Sequence, residues 1–195
     1  MVCNYNYKIS VLCLRIRYFM QHTPRNDESD NDQFMALLFN FVTLESDIQT
    51  SKSLTTSMDM GLMSVYFSNM LRAAMIKLQH FILMLTDHMK CYTQITSIEL
   101  SQQRQDCIET IHFLSRKVLD SVPLLLPATN TNLNTNVGCW ADAMRLIWPL
   151  SAVSWVTYGL RKHREEARSS LQKIGWQMGI RLALRSEPPG RIYRF

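Results

Sequence analysis

The sequence predicts an all-α protein, an irregular bundle of about five or six helices with essentially no sheet, and three observations carry that expectation. Glycine and proline are scarce, six of each in 195 residues, while methionine occurs twelve times, a balance that suits helices better than a turn-rich β protein. Apolar residues recur at spacings of three, four and seven along several long segments. Those segments are bounded by prolines, glycines and polar runs where a helix would start or stop. With 47% hydrophobic residues, the chain is long enough for one domain with a sizeable core and too short for two large ones. No internal repeat at a fixed period is evident.

Taken in order, Val11 to Phe19 is apolar but interrupted by Arg15 and Arg17, and it reads as a short strand, a short helix or an unpacked terminus. Neither a secretory leader nor a membrane span, which needs about twenty continuous apolar residues, is expected there. His22 to Gln33 is charged, polar and contains Pro24, the composition of a linker. Residues 1–33 are therefore expected to be a poorly ordered segment, 34–186 the helical domain and 187–195 a tail. Phe34 to Leu44 reads as a buried helix with Asn31 and Asp32 as N-cap candidates, followed by a loop from Ser46 to Thr56. From Met58 to Met89 nearly every face is apolar, since Arg72, Lys77, His80, Asp87 and His88 are too few to make a polar side. That helix is expected to be central and covered by the others.

Thr96-Ser97-Ile98-Glu99 has the form of a capping box. The stripe Leu100, Cys107, Ile111, Leu114, Val118 and Val122 follows it, and Pro123 stops the helix. Thr129 to Val137 is a polar low-complexity loop. The stretch from Cys139 to Leu184 is expected to organise the rest. Pro149 lacks an amide donor and is expected to kink one helix or to begin another. Gly159 suits a left-handed cap, and Leu160, Ala167, Leu171, Ile174, Met178 and Leu182 form the apolar face of a last helix. Gly175 and Gly179, four apart, mark close helix packing. On this reading Trp148→Ala and Gly175→Leu lower the melting temperature by several degrees, from the roughly 3–5 kcal/mol of emptying a buried aromatic site and the strain of overpacking.

Charge is unevenly placed. The formal net charge is +5, yet from Thr157 onward nine Lys or Arg face three Glu, a net +6 that leaves −1 for everything before it. Arg161, Lys162, Arg164 and Arg168 make this basic surface, and pairing of Arg161 with Glu165 and Lys162 with Glu166 at i,i+4 favours a solvated helix face over a phosphate-binding one. Five cysteines at irregular spacing, with no C-x-x-C, suit reduced thiols packed as small apolar residues.

Catalytic patterns are missing. No phosphate loop, dinucleotide fingerprint, nucleophile elbow or zinc-protease motif is present. His80 and His88 diverge by about 80° on a helix and make a poor metal pair around Asp87. Cys107 and His112 point apart at i,i+5 and do not form a nucleophile and base. No catalytic, cofactor or metal residue is expected, and the chain is read as a non-enzyme. The abundance of Met and aromatic residues allows an apolar cavity, with Trp140, Met144, Trp148, Trp155 and Trp176 beside Phe67, Met70, Met75, Phe81 and Met84, although ordinary core is the simpler reading.

One resemblance follows from the organising stretch. Ala141-x-x-Met144-Arg145-Leu146-Ile147-Trp148-Pro149-Leu150, followed by Leu171-Gln172-Lys173-Ile174-Gly175-x-x-Met178-Gly179-Ile180-Arg181-x-Ala183, resembles the C-terminal part of the regulatory domain of fungal zinc binuclear cluster transcription factors. Lys117-Val118-Leu119-Asp120-Ser121-Val122-Pro123-Leu124-Leu125-Leu126-Pro127 is similar to the family's helix and loop before it. The likeness covers about residues 110–186 and consists of packing residues. It implies an all-helical, non-enzymatic regulatory region of a nuclear protein, working in transcription regulation through protein partners or self-association. The family's zinc cluster requires six cysteines with C-x-x-C pairs, which this chain lacks, so no zinc ligand or DNA-reading residue carries over and direct DNA binding is not expected. A fragment, a shortened product, or a relative acting only through partners would fit. The competing expectation, from a different class, is a small-molecule binding protein with a Met- and Trp-lined cavity.

Overall fold

The computed structural model describes residues 2–22, 28–55, 61–89, 97–126 and 137–184. In chain order the helices are α1 (Val2–His22), α2 (Glu28–Thr55), α3 (Gly61–Met89), α4 (Ser97–Asp120), α5 (Val122–Leu125), α6 (Val137–Trp155), α7 (Arg161–Gln177) and α8 (Arg181–Leu184). Among the described residues there is no strand, and the all-α multi-helix bundle follows.

α3 is the centre of the molecule, for the reason its composition gives. From Asn69 to Met89 fifteen residues are buried, on every side of the helix. α1, α4 and α6 pack around it. α4 runs antiparallel to α3, with Arg104 opposite Asp87 and Ser121, just past its end, opposite Asn69. The stripe Leu100, Cys107, Ile111, Leu114 and Val118 is buried as the spacing predicts. α6 presents Ala143, Leu146, Ile147, Leu150 and Val153 inward, and α7 packs on α6 through Ala167, Leu171 and Ile174. One continuous hydrophobic cluster runs from Ile9 to Ala183.

The N-terminal third departs from the sequence reading. α1 is a full helix whose Ile9, Leu12, Cys13, Ile16, Phe19 and Met20 are all buried, so the core begins well before residue 34. Arg15 and Arg17 fall between these positions on the opposite side and do not interrupt the apolar face. α2 starts at Glu28, which places Asn31 and Asp32 inside the helix, and it continues through the polar run expected to be a loop. Leu44 and Ile48 extend the buried seam begun by Phe34, Leu37 and Phe41, at alternating spacings of three and four. The polar side chains between them bond the helix's own carbonyls: Asn40 Nδ2 donates to Ala36 (2.8 Å), Thr43 Oγ1 to Phe39 (2.9 Å) and Thr50 Oγ1 to Ser46 (2.9 Å). Residues 23–27 of the expected linker, Thr96 of the capping box, residues 129–136 of the expected polar loop and the expected tail over 187–195 lie outside the described residues, whereas Val137, the expected last residue of that loop, begins α6.

Of three punctuation marks, the last departs from expectation. Pro149 sits inside α6, which continues to Trp155. Pro123 occupies the first turn of the short α5, after α4 has ended. Gly159 is not left-handed. The positive φ angles belong to Gly61 (56°) and Gly179 (70°), the latter reversing the chain after α7.

Candidate functional site

The turn between α6 and α7 gathers polar side chains from α3 and α4. Gly159 lies where a Cβ would approach Val156 Cγ1 to 2.9 Å and the Val156 carbonyl to 3.3 Å, so crowding rather than handedness calls for glycine. Beside it, Tyr158 points back toward α3 and donates its hydroxyl hydrogen to Asp87 Oδ2 at 2.6 Å. Arg104 Nε of α4 meets the other carboxylate oxygen at 3.2 Å, and its guanidinium lies 5.7 Å from the Tyr158 ring centre. His112 Nε2 bonds the Tyr158 carbonyl at 3.1 Å. The His80 ring stands edge-on to Trp155 with centroids 4.8 Å apart and lies 5.6 Å from Tyr158.

Burial sets the chemistry of this cluster. It pushes the Tyr158 phenol well above its ordinary range, assisted by the hydrogen bond to the Asp87 carboxylate, so Tyr158 remains a donor and not a nucleophile. It pushes His80 down to about 4, leaving a neutral ring at pH 7 whose Nδ1 has no hydrogen-bond partner. Cys107 is pushed up to about 11, again chiefly by burial, and accepts a bond from Gln103 Nε2 at 3.6 Å while His112 is turned to the Tyr158 carbonyl. No group of three or more His, Cys, Asp or Glu suited to a metal ion occurs among the described residues. The arrangement ties the α6–α7 turn to α3 and α4. Asp87 and Tyr158 are 71 residues apart, and the one trace of this tie in the sequence is a carboxylate in an otherwise apolar helix.

Three of the four tryptophans do not lie in the core that the simpler reading expected. Trp140 is 51% exposed, Trp148 40% and Trp176 77%. The buried side of α6 is already filled by its aliphatic residues, and Trp140, half-buried Met144 and Trp148 recur every fourth residue on another side. Trp155 alone turns toward the interior, against His80. Met75 and Phe81 are core, and Phe67, Met70 and Met84 are half-buried. An open cleft of about 540 Å³ lies elsewhere, between α1 and α2.

On α7, Arg161, Lys162 and Arg168 are exposed and Arg164 is half-buried. Arg161 Nε pairs with Glu165 at 2.7 Å as the spacing predicts. Lys162 and Glu166 do not pair. Glu166 turns instead to Arg116 of α4 at 3.6 Å, and Arg168 donates to the Ser154 carbonyl at 3.3 Å. Three of the four cations thus have no ion pair on the helix itself, and one of these, Arg168, is tied to α6. Gly175 is a place of close approach, because a Cβ there would run into Leu184 Cγ and Cδ2 of α8.

Among the described residues, no helix is long and apolar enough to cross a membrane. Comparison of the chain with protein-family models, with curated proteins and with solved structures gave no match.

Proposed function

We propose that this chain is a regulatory and interaction domain of the fungal transcription-factor type, non-enzymatic, without a cofactor, and active in the nucleus through protein contacts rather than through DNA. The observation that carries the reading is the outward placement of Trp140, Trp148 and Trp176 on α6 and α7. Tryptophan is large and apolar with one donor, and it concentrates at the energetic centres of protein interfaces. Leaving three of four in water is costly unless a partner covers them. These helices also carry the motifs that resemble the family. The polar cluster at Tyr158 supports the reading from the other side, since burial keeps the Tyr158 phenol protonated and the His80 ring neutral, states that suit packing.

The test is to tether the intact chain to an unrelated DNA-binding module upstream of a reporter gene. A several-fold change in output is expected, abolished by Trp140→Ser with Trp148→Ser while melting shifts by only a few degrees. A tethered wild-type chain that leaves the reporter at its baseline would refute the proposal.

A further inference from the structure

α2 carries two apolar stripes. Phe34, Leu37, Phe41, Leu44 and Ile48 are buried, whereas Met35, Phe39 and Val42 are 51%, 72% and 53% exposed. The exposed three stand at i, i+4 and i+7, the spacing by which an amphipathic helix anchors itself in a groove. A groove exists on the same molecule. The cleft between α1 and α2 is lined by apolar side chains that include Leu14 and Tyr18, themselves 63% and 61% exposed, and on the α2 side by Ala36 and Asn40.

Charge says what fits the groove. Its lining contains Arg15 and Arg17 and no carboxylate. From residue 30 to Thr50 α2 carries Asp30, Asp32, Glu45 and Asp47, with Asp32 and Asp47 exposed and no Lys or Arg in that stretch. An apolar stripe on an acidic helix therefore complements an apolar cleft edged with arginine, and both occur on this chain. At 3.6 residues per turn the stripe and the cleft-lining side chains point roughly 130° apart around α2. One copy cannot offer both to the same neighbour across a two-fold axis, so the contact is head to tail and builds a chain or a ring larger than a dimer.

We propose that copies of this chain associate head to tail, with Met35, Phe39 and Val42 on α2 of one copy seated in the α1–α2 cleft of the next. The five anchoring side chains present roughly 500 Å² of surface, about a third of a standard interface, which places the contact among weak, concentration-dependent ones. Association weakens as salt is raised, because the arginine–carboxylate complementarity is solvent-exposed.

Sedimentation velocity from the micromolar to the near-millimolar range tests this with the intact chain. The wild type is expected to pass beyond dimer as concentration rises. Phe39→Glu, which removes the stripe, and Leu14→Glu, which spoils the cleft, each stay monomeric. Both positions are exposed, so circular dichroism and melting remain near wild type. An equimolar mixture of the two variants forms a dimer and nothing larger, since it contains one live stripe and one live cleft. Arg15→Glu, a surface change at the cleft edge, shifts wild-type assembly to at least several-fold higher concentration. A wild type that stays monomeric throughout overturns the proposal. So does a closed dimer that both variants abolish and their mixture does not restore, because that outcome means a two-fold contact.

Discussion

Lowering the pH should unfold this protein through His80, and the size of the effect follows from where that ring sits. His80 is 6% exposed, edge-on to Trp155, and burial has moved it from 6.5 to about 4. Above about pH 6.5 the imidazole is neutral in the folded and unfolded chain alike, and it adds no pH dependence. Between 6.5 and 4 the unfolded chain binds a proton that the folded chain refuses, so stability falls as pH falls, by up to about 1.4 kcal/mol per pH unit. The accumulated loss is about 3 kcal/mol by pH 4, below which both states are protonated and the loss levels off. In a domain of this size that corresponds to a melting temperature lower by roughly 6–12 °C. His163, also buried and also shifted down by burial and by Arg116, acts in the same direction, and carboxylates titrate near the lower end. The informative quantity is therefore a difference. Urea unfolding of the wild type and of His80→Phe at a series of pH values should show the difference between them shifting by about 3 kcal/mol in favour of the variant between pH 7 and pH 4, whatever offset the substitution itself introduces. Parallel curves would refute the argument, as would a His80 imidazole proton resonance with a midpoint near 6.5.

Tyr158→Phe removes the 2.6 Å bond to Asp87 and leaves that carboxylate with Arg104. A loss of about 1–2 kcal/mol is expected by denaturant unfolding, with little change in the helical signal. Gly175→Ala presses a methyl group into Leu184 and should destabilise by about 1–2 kcal/mol; adding Leu184→Ala relieves the clash, so the double variant will be more stable than the sum of the singles. Cys13 and Cys107, pushed up to about 12 and about 11 by burial, should react with a thiol reagent at neutral pH far more slowly in the native chain than in urea. Trp148→Ala, whose ring is 40% exposed, should cost about 1 kcal/mol, well below the value expected for a buried tryptophan.

Periodicity made the central and C-terminal helices readable. Leu100 through Val118 and Ala167 through Ile174 are buried where spacing placed them, because those helices have one wet face and one dry face. α2 was opaque for the opposite reason: apolar stripes on two sides cancel the one-sided signal, and its polar residues look like a loop until Asn40, Thr43 and Thr50 are seen bonded to carbonyls one turn back. The alternation 34, 37, 41, 44, 48 was the available clue. The tryptophans were misplaced because residue type gives an average burial, while the side of α6 on which a residue falls is decided by the neighbours that arrive from α3 and α7. The tie between Asp87 and Tyr158 joins elements distant in sequence and had no local pattern at all.

The encirclement of α3 by α1, α4 and α6 also sets an order of events during synthesis. α6 lies roughly seventy residues after α3, so at about 5–20 residues per second the last wall of the core arrives several seconds after the helix it covers. Through that interval the side of α3 bearing His80 and its aliphatic neighbours waits without its partner. The nascent chain then depends on the local α3–α4 hairpin, and on whatever chaperone covers the open side, until Leu146, Leu150 and Val153 close it.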